Sequence, residues 1–168
     1  MVYAIAAIFS IVALFVFAKV AKGKTPEKTR PNPSRFDGLI EQYAYENGLR
    51  FELLKAVIRK ESNFNPRAVN DERKKGDPSD DAIGLMQVRQ PALTDYNETH
   101  GSLHSIDDLY EPQVNIQVGA WYLSRFVKRY GETVGVEMFN VGETGYKTKN
   151  VRNAAYVSSI IGYAKNYA

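Results

Sequence analysis

The chain has 168 residues, no cysteine and a formal net charge of +3, with an isoelectric point near 9.0. This length allows one domain with its own hydrophobic core, and the missing cysteine excludes disulfides, cysteine zinc sites and thiol nucleophiles. The basic charge is local, because residues 19–30 carry a net charge of +4 and the rest of the chain −1, so we expect no nucleic-acid partner.

An uncharged and strongly apolar stretch opens the chain over Val2–Ala18 and is followed at once by lysines. With Met1 it reaches about 18 residues, just enough to span a bilayer as a helix. A cleaved signal peptide is the alternative, but the basic segment expected before its apolar run is missing. We therefore predict a membrane anchor over residues 1–21, a basic proline-containing linker over 22–33 and one domain over 34–168.

The most informative helical pattern lies in the stretch FELLKAVIRKES, residues 51–62. Leu54, Val57 and Ile58 mark one apolar stripe, and the next position of that stripe is Glu61. The sequence NFNP then ends the helix, which places Glu61 in or near its last turn. Partial burial and the negative end of the helix dipole would both raise the pKa of Glu61. A carboxyl that stays protonated near neutral pH can give a proton to a leaving oxygen. A solvated glutamate at a fraying helix end is the alternative.

The other segments predict further short helices, and none shows the clear alternation of a strand. The charged stretch 67–81 is predicted to be a loop. His100 and His104 lie four residues apart, but the intervening glycine and serine argue against a zinc site, so we expect no metal or cofactor. Five further helices are predicted. Each is given from its start to the residue at or before which it ends: Ser34 (as cap) to Gly48, Pro91 to Gly101, Pro112 to Gly131, Thr133 to Asn140, and Asn153 to Tyr167.

Five blocks of residues in fixed order together resemble one family. They are Glu61-Ser62-x-Phe64-x-Pro66, then Gly84-Leu85-Met86-Gln87, then Asn115-Ile116 with Gly119 and Tyr122-Leu123, then Phe139-Asn140-x-Gly142, and last Tyr156-Val157. The blocks resemble the SLT family of lytic transglycosylases, which share a fold with goose-type lysozyme. The resemblance covers about residues 36–167. It implies an all-α fold, a lysozyme-like compact bundle of short helices around a cleft, here preceded by an N-terminal transmembrane helix.

The resemblance also implies a reaction on peptidoglycan glycan strands. Glu61 would protonate the glycosidic oxygen between N-acetylmuramic acid and N-acetylglucosamine. The same carboxylate would then act as base on the muramic C6 hydroxyl, which forms a 1,6-anhydro ring without water. No second carboxylate is required, in contrast to glycosidases that use an acid pair. Substrate-binding roles are implied for Gly84, Leu85, Met86, Gln87, Phe139, Asn140 and Tyr156, although core packing is an equal alternative for Met86.

Two positions depart from the family pattern and leave alternatives open. The family usually has tyrosine where this chain has Phe139, so the acid would lose a hydroxyl partner. A serine common nine residues after the acid is here Asn70. The alternatives are a hydrolytic muramidase, in which Asp80 or Asp81 orients a water, and a catalytically impaired peptidoglycan-binding or structural membrane protein.

The predicted anchor raises a question of topology. Lysines just after the span favour a cytoplasmic domain, whereas a wall-cleaving enzyme works outside the membrane. We therefore expect either a virion membrane of a bacteriophage, with the enzyme opening the wall at entry, or a bacterial inner membrane facing the periplasm within an envelope-spanning complex. The partners expected are glycan strands, the lipid bilayer through residues 1–21, and virion or envelope proteins.

Overall fold

The computed structural model describes residues 32–70 and 81–168, and in these the chain is mostly helical. A two-stranded antiparallel ribbon pairs β1, Val69–Asn70, with β2, Ala82–Ile83, and a 3₁₀ turn spans Asp107–Tyr110. Within the described residues the helices are α1 Asp37–Asn47, α2 Phe51–Ser62, α3 Gln90–His100, α4 Pro112–Tyr130, α5 Glu132–Val141, α6 Glu143–Lys147 and α7 Ala154–Ala164.

Most helix ends lie where the sequence predicts them. Gly48 and Gly101 adopt left-handed conformations just after α1 and α3, as expected for C-terminal glycines. Pro91 and Pro112 lie in the first turns of α3 and α4, where a missing N–H group costs nothing. Asn63 ends α2 with a φ of 49°.

One local prediction is wrong, and two short elements were not predicted. Ser34 does not cap α1, because the helix begins later and the Asp37 amide donates to the Ser34 carbonyl in a preceding turn. The ribbon was not predicted, since strands of two residues are too short to show alternation. Helix α6 was missed because it has only five residues, directly after the break at Gly142.

The core forms around two helices that carry the site. Helix α4 packs against α1, α3 and α5, and helix α2 packs against α1 and α7. The predicted stripe of α2 is fully buried at Leu54, Val57 and Ile58. Glu61 therefore lies one turn beyond three core residues, which fixes the direction in which its side chain leaves the helix.

Two ion pairs hold α2 to its neighbours. The Arg50 guanidinium binds both carboxylate oxygens of Glu132, at 2.7 and 2.8 Å. The buried Lys55 ammonium lies 2.8 Å from Oδ1 of Asp37 on α1. A bidentate pair and a buried pair restrain orientation more firmly than exposed single contacts do, so the helix that carries Glu61 is fixed at its start and in its middle.

The membrane prediction lies outside the part of the chain that the structure covers. In residues 32–70 and 81–168 no helix combines the length and the apolar character needed to cross a bilayer. The predicted anchor over 1–21, most of the predicted linker and residues 71–80 of the predicted loop fall outside these ranges.

Candidate active site

Glu61 lies in the last turn of α2 and forms part of the wall of a cavity of about 600 Å³. Burial raises the pKa of its carboxyl above the ordinary value, and three groups oppose this in part. They are the Tyr156 hydroxyl, which donates a hydrogen bond, and the positive charges of Lys60 and Arg89. The net shift favours a neutral acid, which is the state that can donate a proton.

Tyr156 on α7 donates a hydrogen bond from its hydroxyl to Oε1 of Glu61. Burial, together with the negative charge and the hydrogen bond of Glu61, raises the pKa of Tyr156 far above its ordinary value. The hydroxyl therefore stays protonated and remains a donor. Phe139, which has no hydroxyl, lies in the cavity wall against the ring of Tyr122, with ring centroids 6.2 Å apart. The hydroxyl that Phe139 on α5 lacks is therefore supplied to Glu61 by Tyr156 on α7.

The cavity wall is assembled from five parts of the chain. They are α2, the ribbon with the residues that follow β2, α4, the end of α5, and Asn153 just before α7. Glu61 is the sole carboxylate among the described residues that line it. These residues are Glu61, Asn70, Ala82, Gln87, Val88, Arg89, Pro91, Ala92, Gly119, Tyr122, Phe139, Asn140, Val141, Gly142 and Asn153.

The predicted block 84–87 divides into three buried residues and one partly buried residue that lines the cavity. Gly84, Leu85 and Met86 are buried and are not among the described residues that line the cavity, so their substrate-binding role stays a prediction. Gly84 has a φ of +75°, and a Cβ there would lie 2.2 Å from Nδ2 of Asn115. The glycine is needed for the close approach of Asn115 rather than for a ligand.

Asn115 is the buried side chain that holds this block in place. Its Oδ1 accepts a 2.7 Å hydrogen bond from the Met86 amide, and its Nδ2 donates to the carbonyls of Ile83 and Leu109, both at 2.8 Å. A buried amide with three such bonds is well satisfied and fixes the backbone around it. The block is therefore a rigid support under the cavity floor.

Gln87 is the residue of this block that reaches the cavity. Its φ is +49°, a left-handed conformation that is unfavourable for a side chain with a Cβ. Its Nε2 donates to the carbonyls of Gly84 at 3.0 Å and Ala68 at 3.2 Å. Ser62 ties the same loop to α2, since its hydroxyl donates to the Leu85 carbonyl at 2.8 Å. Gln87 is thus held by its own two hydrogen bonds, and its loop is tied to the helix that carries Glu61.

Asn153 is a cavity residue that the sequence did not single out beyond the start of α7. Its Oδ1 accepts from the Tyr156 amide at 3.1 Å and so caps α7, while its Nδ2 donates to Oδ1 of Asn140 at 2.8 Å. Its own amide donates to Oε1 of Glu137 on α5 at 2.7 Å. One side chain therefore connects the helix of Tyr156 with the cavity residue Asn140. An asparagine three residues before a helical tyrosine is the cap signal that points to it.

The remaining predicted site residues are placed as follows. Asn140 is exposed and lines the cavity, as does Asn70. Asp81 is buried and absent from the cavity wall, and Asp80 lies outside the described residues. Within residues 32–70 and 81–168 no group of three histidine, cysteine or acidic side chains is arranged to hold a metal ion. The Nδ1 atom of His100 lies 2.9 Å from the Tyr96 carbonyl.

Comparison with known proteins places this geometry in a family. The Transglycosylase SLT domain family matches residues 38–157. Membrane-bound lytic murein transglycosylase C from Cronobacter sakazakii is 31% identical over 114 residues, which cover 66% of this chain and 29% of that protein. The chain therefore spans less than a third of the length of this relative.

Two solved structures share the fold. Lytic transglycosylase Slt from Pseudomonas aeruginosa, solved as an inactive mutant, has a TM-score of 0.65 at 24% identity and covers 80% of this chain and 24% of that one. The 70 kDa soluble lytic transglycosylase from Escherichia coli has a TM-score of 0.57 at 24% identity and covers 80% of this chain and 23% of that one. The chain belongs to the transglycosylase SLT domain family and has its mostly helical, lysozyme-like fold.

Proposed function

We propose that this chain is a peptidoglycan lytic transglycosylase that cleaves the β-1,4 bond between N-acetylmuramic acid and N-acetylglucosamine. Glu61 is its general acid and then its general base. The observation that carries the proposal is the position of Glu61, a carboxyl of raised pKa in the wall of a 600 Å³ cavity and in contact with a buried tyrosine hydroxyl. The name of the similar Cronobacter protein, a lytic murein transglycosylase, supports the same reaction class.

In the first step the protonated Glu61 gives its proton to the glycosidic oxygen, and the bond to muramic C1 breaks. In the second step the Glu61 carboxylate removes the proton of the C6 hydroxyl, whose oxygen attacks C1 and closes the 1,6-anhydro ring. The acid is regenerated, so one group serves twice. The Tyr156 hydroxyl stabilises the carboxylate between the two steps, because it is a permanent donor to Oε1.

The substrate would lie along the cavity wall. Gln87 and Asn140 offer amide groups to sugar hydroxyls and acetamido groups, and Phe139 with Tyr122 offers aromatic surface. Gly84, Leu85 and Met86 contribute through the rigid support that they give to Gln87.

Transglycosylation is favoured over hydrolysis by the composition of the wall. A hydrolase needs a second carboxylate to orient water or to act as nucleophile, and among the described lining residues Glu61 has no such partner. Asp81, one of the two candidates, is buried and is not among the residues that line the cavity, and Asp80, the other, lies outside the described residues. An impaired scaffold is disfavoured because Tyr156 supplies the hydroxyl missing at Phe139.

The test is digestion of purified peptidoglycan by the full chain in detergent, with mass analysis of the products. We expect products that end in 1,6-anhydro-muramic acid. Glu61→Gln should lower the rate by roughly 10²-fold or more, whereas Glu52→Gln, in the first turn of the same helix and outside the cavity, should retain it. Reducing-end products would mean hydrolysis, and unchanged cleavage by Glu61→Gln would remove both enzyme proposals.

We further propose that residues 1–21 anchor the domain to a membrane and that residues 22–33 form a linker to a domain over 34–168. The support is the apolar run Val2–Ala18 with its following lysines and the name of the similar Cronobacter protein, which is membrane-bound. A bacteriophage virion membrane is the setting that best reconciles the lysine distribution with a wall substrate, and a bacterial inner membrane is the second. Sedimentation of the full chain with membranes, compared with residues 31–168, tests the anchor. Detection in purified virions tests the setting.

A further inference from the structure

One end of the cavity is bordered by a short basic segment, residues 144–153. It contains Lys147, Lys149 and Arg152 and no acidic residue. It ends at Asn153, which lines the cavity. The segment is closed by a 2.9 Å hydrogen bond from the Val151 amide to the Gly145 carbonyl, so its side chains leave a defined backbone.

Arg152 is held by groups of its own segment, whereas Lys147 pairs with Glu143 just before the segment. Its guanidinium carbon lies 3.7 Å from the centroid of the Tyr146 ring, a stacked arrangement that arginine favours. Its Nη1 donates to the carbonyls of Tyr146 and Val151, both at 2.9 Å. The guanidinium is therefore oriented before any ligand arrives.

The unused edge of this guanidinium is the important feature. With Nη1 bound to two carbonyls, the Nε and Nη2 groups remain as a pair of parallel donors. Among the described residues no carboxylate pairs with Arg152, whereas Arg50 pairs with Glu132 and Glu52, and Arg125 pairs with Asp95. Arg152 is also exposed. A fixed, exposed and unpaired guanidinium fork matches a carboxylate in charge and in geometry.

We propose that Arg152 is a receptor for a carboxylate of the peptide stem on peptidoglycan. This rests on the proposed function, since it assumes that a glycan strand lies in the cavity. Stems extend from the muramic sugars at that strand, and they carry free carboxylates unless these are amidated. Arg152 directly precedes Asn153, which lines the cavity, so the fork would lie near that end of a bound strand. The chain would then prefer strands whose stems bear a free carboxylate.

Two soluble ligands isolate this interaction from catalysis. N-acetylmuramyl-L-alanyl-D-glutamate carries free α- and γ-carboxylates, and its diamide carries an amide at both positions. The full chain in detergent should bind the free acid roughly five- to ten-fold more tightly by calorimetry, as expected for one charge-assisted bidentate contact at an exposed site. Arg152→Gln should remove this preference, and Arg152→Lys, which keeps the charge but not the fork, should reduce it.

Lys149→Gln is the matched control, because it removes the same charge from the same exposed segment. It should keep the preference. An unchanged preference in Arg152→Gln would overturn the proposal, as would an equal loss in Lys149→Gln, which would indicate diffuse charge. Absence of any preference in the wild type would also overturn it. Thermal unfolding of each variant verifies the fold.

Digestion of two kinds of strand separates this proposal from the proposed function. Strands stripped of stems by an amidase should be cleaved at equal rates by wild type and Arg152→Gln. Strands with free-acid stems should be cleaved more slowly by the variant than by wild type. Cleavage of stripped strands without any carboxylate preference would leave the function standing and remove the receptor. A carboxylate preference in binding without cleavage of any strand would leave the receptor standing and remove the proposed function.

Discussion

The Tyr156 hydroxyl donates a hydrogen bond to Oε1 of Glu61, which joins the last helix of the domain to the last turn of α2. The two residues are 95 positions apart in sequence. Burial raises the pKa of the Glu61 carboxyl, and the hydrogen bond from the Tyr156 hydroxyl lowers it. The hydrogen bond therefore limits how far burial raises the pKa of Glu61.

Removing this hydroxyl should shift the pH dependence of activity. In Tyr156→Phe the pKa of Glu61 should rise further, because the hydrogen bond that lowers it is lost. The alkaline limb of kcat/KM should move to higher pH, since the acid stays protonated longer. The rate at the optimum should fall roughly ten-fold, about 1.4 kcal/mol, because the intermediate carboxylate loses a donor. Tyr163→Phe on the same helix is the control, and an unchanged pH profile in Tyr156→Phe would contradict the assignment.

The raised pKa of Glu61 should also appear in stability. The folded protein holds this proton over a pH range above 4.5, the ordinary value, in which the unfolded chain releases it. Stability from this group is therefore present below that value and is lost as the pH rises through the folded pKa. The free energy of unfolding of Glu61→Gln relative to wild type should increase from about pH 4.5 upward, measured by urea denaturation. Glu52→Gln controls for the loss of a charge, and a constant difference for Glu61→Gln would contradict the raised pKa.

The helix that carries Glu61 could be predicted from sequence because its signals are local. Three apolar residues at helical spacing and the terminating NFNP stretch fix both the buried face and the last turn. The structure buries that face and ends α2 at Ser62. In α3 and α4, a proline in the first turn and a glycine after the last turn likewise allowed both helix ends to be predicted.

The partners of Glu61 could not be predicted in the same way. Phe139 indicated a missing hydroxyl, and nothing in the local pattern of α7 shows that Tyr156 fills that place with its own. Gly84, Leu85 and Met86 looked like a glycine-led binding loop, yet the glycine accommodates Asn115 from α4. Both outcomes depend on contacts between segments far apart in the chain, which periodicity does not encode.

Asn153 should act as a positioning residue for Tyr156. Asn153→Ala removes the cap of α7 and should cost about 1 kcal/mol of stability, whereas Asn153→Ser keeps an oxygen for the Tyr156 amide and should recover most of it. Both variants lose the bond to Asn140, so both should raise KM. The Ala variant should in addition shift the pH profile toward that of Tyr156→Phe. Equal pH profiles in the two variants would show that the cap does not position the hydroxyl.

Gly84 should be far less tolerant of substitution than other glycines with positive φ. In Gly84→Ala the new Cβ would lie 2.2 Å from Nδ2 of Asn115 and 2.6 Å from the Leu109 carbonyl. Backbone strain and overpacking together should cost roughly 2–5 kcal/mol. Gly101, with a φ of +64° and nothing near the added Cβ, isolates the strain alone, so Gly101→Ala should cost about 1–2 kcal/mol.

Activity separates the same two variants. Gly84→Ala must displace Asn115, which holds the Met86 amide, and should shift Gln87 in the cavity wall. At a temperature where both variants are folded, Gly84→Ala should lose activity on glycan strands and Gly101→Ala should keep it. Equal losses of stability, measured by denaturant unfolding, would mean that the contact with Asn115 relaxes easily. The block 84–87 would then be less rigid than the three buried hydrogen bonds of Asn115 indicate.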